Sequence, residues 1–231
     1  MKAIVLSAGL GTRLRPYTLT LPKVMMPVKD KPILFYHIQN LKEYGITDIG
    51  INLHYFPKKI TEYFGDGSKF GVNIKYSREK ELQGTSGAID GFRDWIGMDD
   101  FLVVYGDNYS HFNYQEIIDF SDKEPKAEAI ICLYEMDDLK GKGLVTMNKN
   151  GLITEFVEKP KNPEKYNTKL TNAGVYYFKN SILEYIPKNM FSDFSLNIFP
   201  SLIKKKIPLK GYLIMDNFID IGTIKAYEKI K

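Results

Sequence analysis

An apolar run, Lys2-Ala3-Ile4-Val5-Leu6-Ser7, breaks abruptly into the glycine-rich Ala8-Gly9-Leu10-Gly11-Thr12. A short buried strand that ends in such a turn is a characteristic start for an α/β sheet, and the alternation continues down the chain. Apolar residues near helical spacing predict a helix over 32–44, stopped by Gly45. Strands are predicted over 48–54, 72–76, 101–105 and 127–134, with helices over 58–64 and 85–95 between them. Strand and helix in regular succession argue for a doubly wound sheet. Right-handed crossovers then gather the loops after the strands along one edge, where ligands bind. Past Asp137 the segments become shorter and β-rich, over 143–147, 153–157 and 173–178. The expected fold is a Rossmann-like, doubly wound mixed sheet whose β-rich insertion covers that edge.

Composition removes several function classes. The 231 residues include one cysteine, Cys132, which excludes an intramolecular disulfide and a cysteine-based zinc site. Within Ala129-Ile130-Ile131-Cys132-Leu133 it reads as a small buried hydrophobe. A chain this long buries roughly 70% of the surface its unfolded form exposes, so it needs no covalent or metal staple. No apolar stretch approaches the length of about 18 to 20 residues that spans a bilayer, which excludes a membrane protein. Gly9 and Arg13 interrupt the N-terminal apolar run too early for a secretory signal, and a cytoplasmic location is expected. Lys and Arg number 32 against 28 Asp and Glu, a net +4. Residues 1–31 alone carry Lys2, Arg13, Arg15, Lys23, Lys29 and Lys31 against Asp30, leaving the remainder close to neutral. That concentration predicts a local anion site and argues against a nucleic-acid-binding surface. Lys204-Lys205-Lys206 reads as a solvated helix end.

The chemistry concentrates in Gly9-Leu10-Gly11-Thr12-Arg13-Leu14-Arg15-Pro16-Tyr17-Thr18, followed by Pro22-Lys23. A glycine turn after a first strand lets backbone N–H groups converge on phosphate oxygens without side-chain obstruction. Arg13 adds a bidentate fork and Lys23 a point charge. Leu14 occupies the place where a dinucleotide fingerprint needs its third glycine, and the Gly-Lys-Ser/Thr of a Walker loop is absent. His37, His54 and His111 form no triad-like pattern, and His37 and His54 read as structural. Asp107 follows a buried strand and Asp220 sits among apolar residues and Gly222. An acid in the second setting is either paired or metal-bound.

These motifs resemble the signature of the sugar-1-phosphate nucleotidylyltransferases, which join a sugar 1-phosphate to a nucleoside triphosphate and release pyrophosphate. The resemblance extends through Gln83-Gly84-Thr85-Ser86-Gly87-Ala88, Gly106-Asp107-Asn108, Val157-Glu158-Lys159-Pro160, Asn172-Ala173-Gly174-Val175-Tyr176 and Ile219-Asp220-Ile221-Gly222-Thr223. It implies that Arg13, Lys23 and Asp107 are catalytic and that Leu6, Ala8, Gly9, Gly11, Thr12, Glu79, Gln83, Gly84 and Thr85 bind the nucleotide. It implies also that Gly143, Glu158, Lys159 and Asn172 bind the sugar phosphate and that Asp107 and Asp220 hold Mg²⁺. Pro160 should bias Lys159 towards an extended backbone. A nucleotide-binding part over about 1–125 and a sugar-phosphate part over about 126–231 would make one catalytic unit. Many relatives add a C-terminal β-helix, and none is expected here, since the chain ends soon after Asp220.

The resemblance leaves the base and the sugar open. Relatives that read thymine or uracil commonly place Gln near the position of Glu79. Guanine presents two adjacent donors, N1–H and N2–H, which a carboxylate can accept together. The stretch Glu81–Ala88 also resembles guanylyltransferases for mannose- or heptose-type sugar phosphates, so GTP is favoured as the partner. Glu79 and Glu81 as solvated loop charges, and Gln83 as the base reader, stand as alternatives. So do a cytidylyltransferase, a uridylyl- or thymidylyltransferase, and a non-catalytic sugar-nucleotide sensor. The apolar residues around 190–199 suit either core or a homo-oligomer contact.

Overall fold

The computed structural model describes residues 1–109, 111–214 and 219–231, apart from the side chain of Asp220. β1 (Lys2–Leu6) is followed by a hairpin of β2 (Pro27–Val28) and β3 (Lys31–Pro32) and by α1 (Ile33–Glu43). Then come β4 (Asp48–Leu53), α2 (Pro57–Phe64), β5 (Asn73–Arg78), α3 (Gly84–Gly87), α4 (Arg93–Ile96) and β6 (Phe101–Tyr105). β7 (Asn108–Tyr109), α5 (Tyr114–Lys123) and β8 (Ala129–Glu135) lead into the antiparallel β9 (Gly143–Met147) and β10 (Ile153–Glu158). β11 (Leu170–Phe178), α6 (Phe199–Lys204), β12 (Leu209–Leu213), β13 (Ile219–Asp220) and α7 (Ile224–Glu228) complete the chain.

Among the described residues, nine strands form one mixed sheet. β6, β1, β4 and β5 run parallel in that order, so their C-terminal ends share one edge. β11 lies antiparallel to β6, pairing Val175–Phe178 with Phe101–Val104, and β8 and β12 extend the sheet beyond it. The other half of β11 outruns β6, and there β9 takes over its flank, with Thr171 opposite Leu144. The β9–β10 hairpin thereby stands over the edge where the parallel strands end. This is the expected doubly wound mixed sheet with its β-rich addition.

Strand periodicity divides the core in two. Ala3, Val5, Leu102, Val104, Val175 and Tyr177 face one side, where α1, α2 and α5 contribute Leu34, Ile38, Ile60, Phe64 and Ile117. Ile4, Phe101, Val103, Tyr176 and Phe178 face the other, against Phe92, Phe194, Phe199 and Leu202. Successive residues of one strand feed both layers, as period-2 geometry requires of a sheet covered on both faces. Cys132 is fully buried in the first layer, and burial pushes its thiol well above the usual range. Lys204, Lys205 and Lys206 are exposed.

One predicted element differs. The helix expected over 85–95 is broken into α3, a 3₁₀ turn and α4. The interruption follows from tertiary bonds that the local pattern does not carry. Ser86 and Gly87 donate their amides to the Ser192 carbonyl, at 3.1 and 3.0 Å. Downstream, the Arg93 guanidinium is drawn to the Leu183 and Ile186 carbonyls.

Candidate active site

Two adjoining cavities open at the shared edge of the parallel strands. The larger, about 400 Å³, is walled by Leu6–Gly9, Gly11–Leu14, Lys23, Asn52, Glu79, Gly84 and Thr85. The smaller, about 220 Å³, lies beneath β9 and β10 and includes Gly143, Glu158, Lys159 and Asn172. They meet at Arg13, Thr85, Tyr105, Asp107 and Asp193, which line both. Nearly the whole predicted set therefore converges from distant parts of the sequence.

The glycine turn is shaped by its own neighbours. Gly11 adopts φ +62°, and a Cβ there would lie 2.9 Å from Thr18 and 3.3 Å from the Lys23 side chain. A side chain at that position would meet both the strain of the left-handed region and a steric wall. Thr18 donates its hydroxyl to the Gly11 carbonyl at 2.8 Å, which ties the turn down. Thr12 and Arg13 remain exposed above it.

Lys23 is buried at 7% exposure, and its Nζ donates to Asp107 Oδ2 at 2.7 Å. Burial pushes the Asp107 carboxyl up. The Lys23 ammonium, through its charge and its hydrogen bond, and the Arg13 guanidinium outweigh that effect and hold it below the usual carboxylate range. The loop carrying Asp107 is pinned on three sides. His37 Nε2 donates to the Asn108 carbonyl at 2.8 Å, Asn108 Nδ2 donates to the Ala173 carbonyl at 2.8 Å, and β13 pairs with β7. In that short ladder Asp220 sits opposite Asn108, so the backbone brings the two predicted metal ligands to one place. The Asp220 side chain lies outside the described residues.

In the smaller cavity, Lys159 Nζ pairs with Glu158 Oε1 at 2.8 Å. Gly143 makes room for that carboxylate, because a Cβ there would lie 2.7 Å from Glu158 Oε2. Asn172 donates Nδ2 to the Tyr176 hydroxyl at 2.7 Å and accepts from the Gly174 amide at 3.0 Å. The expected extended backbone at Lys159 is not what forms: its φ is +46°. The β9–β10 ladder closes at Glu158 opposite Gly143, and the Lys159 amide then reaches back to the Lys142 carbonyl at 3.1 Å. That bond turns the chain into the left-handed region against the preference set by Pro160, a local strain of the kind that collects at functional sites.

Glu79, only 8% exposed, lies on the wall of the larger cavity and is no solvated loop charge, whereas Glu81 is exposed. Gln83 is the one predicted nucleotide-binding residue that does not line the cavity. Its amide folds back to donate to the Glu81 carbonyl at 3.1 Å, and its backbone N–H serves Glu79 Oε2 at 2.8 Å.

Several cavity residues carried no local signal in the sequence. Leu82 and Phe191 present apolar surface to the larger cavity, and Phe191 is 61% exposed. Met190 and Leu196 are exposed nearby, while Phe194, Ile198 and Phe199 are core. Asp193 accepts from the Thr85 hydroxyl at 2.8 Å and caps the helical turn Phe194–Ile198 by accepting the Ser195 amide at 2.8 Å. Tyr105, half-buried where the cavities meet, sets its ring edge-on to Tyr176, and desolvation raises its hydroxyl well above the usual range. Asn52 offered one clue, a polar residue within the apolar run Ile49-Gly50-Ile51-Asn52-Leu53.

A glycine-rich turn on a doubly wound α/β sheet, an acid–base pair at its mouth and a second polar cavity beside it make one composite site at the sheet edge. The sequence profile of the nucleotidyl transferase family matches residues 2–231, and the chain belongs to that family. It is 30% identical over 239 residues to a UTP–glucose-1-phosphate uridylyltransferase of Synechocystis, covering 98% of this chain and 61% of that protein. It is also 30% identical over 222 residues to a mannose-1-phosphate guanylyltransferase of Mycobacterium tuberculosis, covering 96% of this chain and 61% of that protein. The chain thus spans about three fifths of the length of these curated relatives. Among solved structures, HddC from Yersinia pseudotuberculosis complexed with GMP-PN superimposes with a TM-score of 0.83 at 28% identity, over 99% of this chain and 97% of that one. Among the described residues, no helix is long and apolar enough to cross a membrane.

Proposed function

We propose that this chain catalyses transfer of a nucleotidyl group from a nucleoside triphosphate, GTP by preference, to a sugar 1-phosphate of the mannose or heptose type, releasing pyrophosphate. The observation that carries this reading is the Lys23–Asp107 pair at the junction of the two cavities, one floored by the glycine turn and the other holding Glu158 and Lys159. The larger cavity takes the triphosphate, with Gly9, Gly11 and Thr12 beneath it and Arg13 over its outer phosphates. The smaller cavity takes the sugar phosphate, with Lys159 on its phosphate and Glu158 accepting from sugar hydroxyls.

An oxygen of the sugar phosphate attacks the α-phosphorus in line, a new P–O bond forms, and the bond to the β-phosphate oxygen breaks. The leaving pyrophosphate takes the electron pair. The attacking oxygen is already ionised at neutral pH, so no side chain has to accept a proton. Lys23 stands where charge builds at the α-phosphate, and Arg13 stabilises the departing group. Asp107 presents an oxygen donor with a side chain about 40% exposed, and the β7–β13 ladder sets Asp220 alongside. Oxygen ligands from one or two carboxylates suit Mg²⁺, and these two residues would hold it. Such an ion, when bound, neutralises phosphate charge and fixes phosphate geometry.

The preference for GTP rests on the Glu79 carboxylate in the cavity wall, an acceptor suited to the paired N1–H and N2–H of guanine, and on the likeness to HddC complexed with GMP-PN. The test is a matrix of the common triphosphates against a panel of sugar 1-phosphates with Mg²⁺, read as pyrophosphate release. GTP with a mannose- or heptose-type phosphate should turn over fastest. Faster turnover with UTP or dTTP replaces the base assignment, and no turnover in any cell overturns the reaction.

A further inference from the structure

The bonds around Asn52 reach from the phosphate turn to the base wall. Asn52 is 4% exposed and comes from the end of β4. Its Oδ1 accepts the Ser7 amide at 2.6 Å, and its Nδ2 donates to Glu79 Oε1 at 2.6 Å. The Ser7 partner settles the orientation of the amide, since a backbone N–H can only donate. Ser7 is the last residue before the glycine turn, so one side chain touches both ends of the larger cavity. The second Glu79 oxygen accepts the Gln83 amide at 2.8 Å, and the Glu79 carbonyl meets His54 Nδ1 at 3.1 Å.

Glu79 is therefore held from both sides by neutral amides. Two of about four acceptor positions on its carboxylate are used, one on each oxygen, which leaves one position on each oxygen for a ligand. A carboxylate fixed in that way can accept two adjacent donors at once. A freely rotating carboxylate would lose much of that geometric selectivity.

We propose that Asn52 is a positioning residue for base selection: its amide locks the Glu79 carboxylate in the plane that accepts the N1–H and N2–H of guanine together. The inference rests on the reading of Glu79 as the guanine acceptor. Asn52 does not touch the base, and it acts through Glu79.

Inosine triphosphate tests it, because hypoxanthine keeps N1–H and lacks the 2-amino group. Calorimetric titration of the intact chain with GTP and with ITP, in Mg²⁺ and without sugar phosphate, gives a ratio of dissociation constants. That ratio does not depend on the fraction of each preparation that is folded. The parent should bind GTP roughly 10-fold or more tighter than ITP, as expected for one hydrogen bond to a charged group. Asn52→Leu, close in shape and unable to hydrogen-bond, should bring the ratio towards one, and Glu79→Gln should do the same. If Glu79→Gln erases the discrimination and Asn52→Leu keeps it, Asn52 has no such role while the guanine reading stands. If the parent itself does not distinguish GTP from ITP, the guanine reading fails and the role of Asn52 fails with it.

Discussion

His37 shows how a single buried side chain can set the pH range of the molecule. It lies on the inner face of α1, and its Nε2–H is committed to the Asn108 carbonyl. Among the described residues its Nδ1 has no partner. Desolvation lowers its pKa to about 4, from 6.5. In the unfolded chain the ring takes up its proton near 6.5, and in the folded protein only near 4. The stability it contributes is therefore intact above pH 6.5, drains away as pH falls through that window, and is gone below about 4. At pH 4.5 the loss amounts to about 2 to 3 kcal/mol. His37→Gln keeps a donor for Asn108 and cannot charge. Urea unfolding at pH 7 and pH 4.5 should show the variant gaining that amount relative to the parent, and an equal difference at both pH values would rule the effect out. The place of the first turn in the cavity wall was legible in the sequence, because a glycine run directly after a first buried strand falls at the edge where parallel strands end. Phe191 and Asp193 were not, because each reaches the cavity from a remote segment, and Asn52 showed only as a polar break in the apolar run of β4.

At the scale of elements, the site depends on segments that hold one another. Ser192 donates its amide to the Gln83 carbonyl at 2.8 Å and shares a hydroxyl bond with Ser86 at 2.8 Å, while the Phe194 amide donates to the Thr85 hydroxyl at 2.9 Å. These bonds fasten the segment before Phe194 to α3, and they explain why the helix expected over 85–95 is broken. Strand positions were easier to read, because burial on both faces writes long apolar runs into the sequence. The β9–β10 hairpin gives a cleaner test of its own part. Gly143→Ala would push a methyl group into Glu158 Oε2, whereas the larger cavity is untouched. The KM for the sugar phosphate should rise roughly 10-fold or more, in line with the cost of displacing a positioning group. Nucleotide affinity measured without the sugar should stay at the parental value; a parallel loss of both would show that the hairpin serves the whole mouth.

At the scale of the whole molecule, one of the two core layers is built on aromatic packing beside the smaller cavity. The Phe194 ring lies 5.0 Å from Phe178 and 5.5 Å from Phe199, both stacked, and 5.4 Å from Tyr176. Phe194→Ala should cost about 3 to 5 kcal/mol and, at about 2 to 4 °C per kcal/mol, lower the melting temperature by roughly 6 to 20 °C. A melting curve within a degree or two of the parent would show that the layer is not a cooperative part of the core. The fold class could be read from the sequence because strand–helix alternation is a local signal summed over many residues. The handover from β6 to β9 along one flank of β11 could not, since it depends on where a strand ends in three dimensions. That handover has a mechanical consequence. β11 belongs at one end to the central sheet and at the other to the flank of the smaller cavity, and between the two its pairing with β8 shifts register from Asn172 to Tyr176, around Gly174 at φ +69°. A change in the spacing of the two cavities would therefore bend one shared strand at that irregular stretch, much as a ruler folds at its notch.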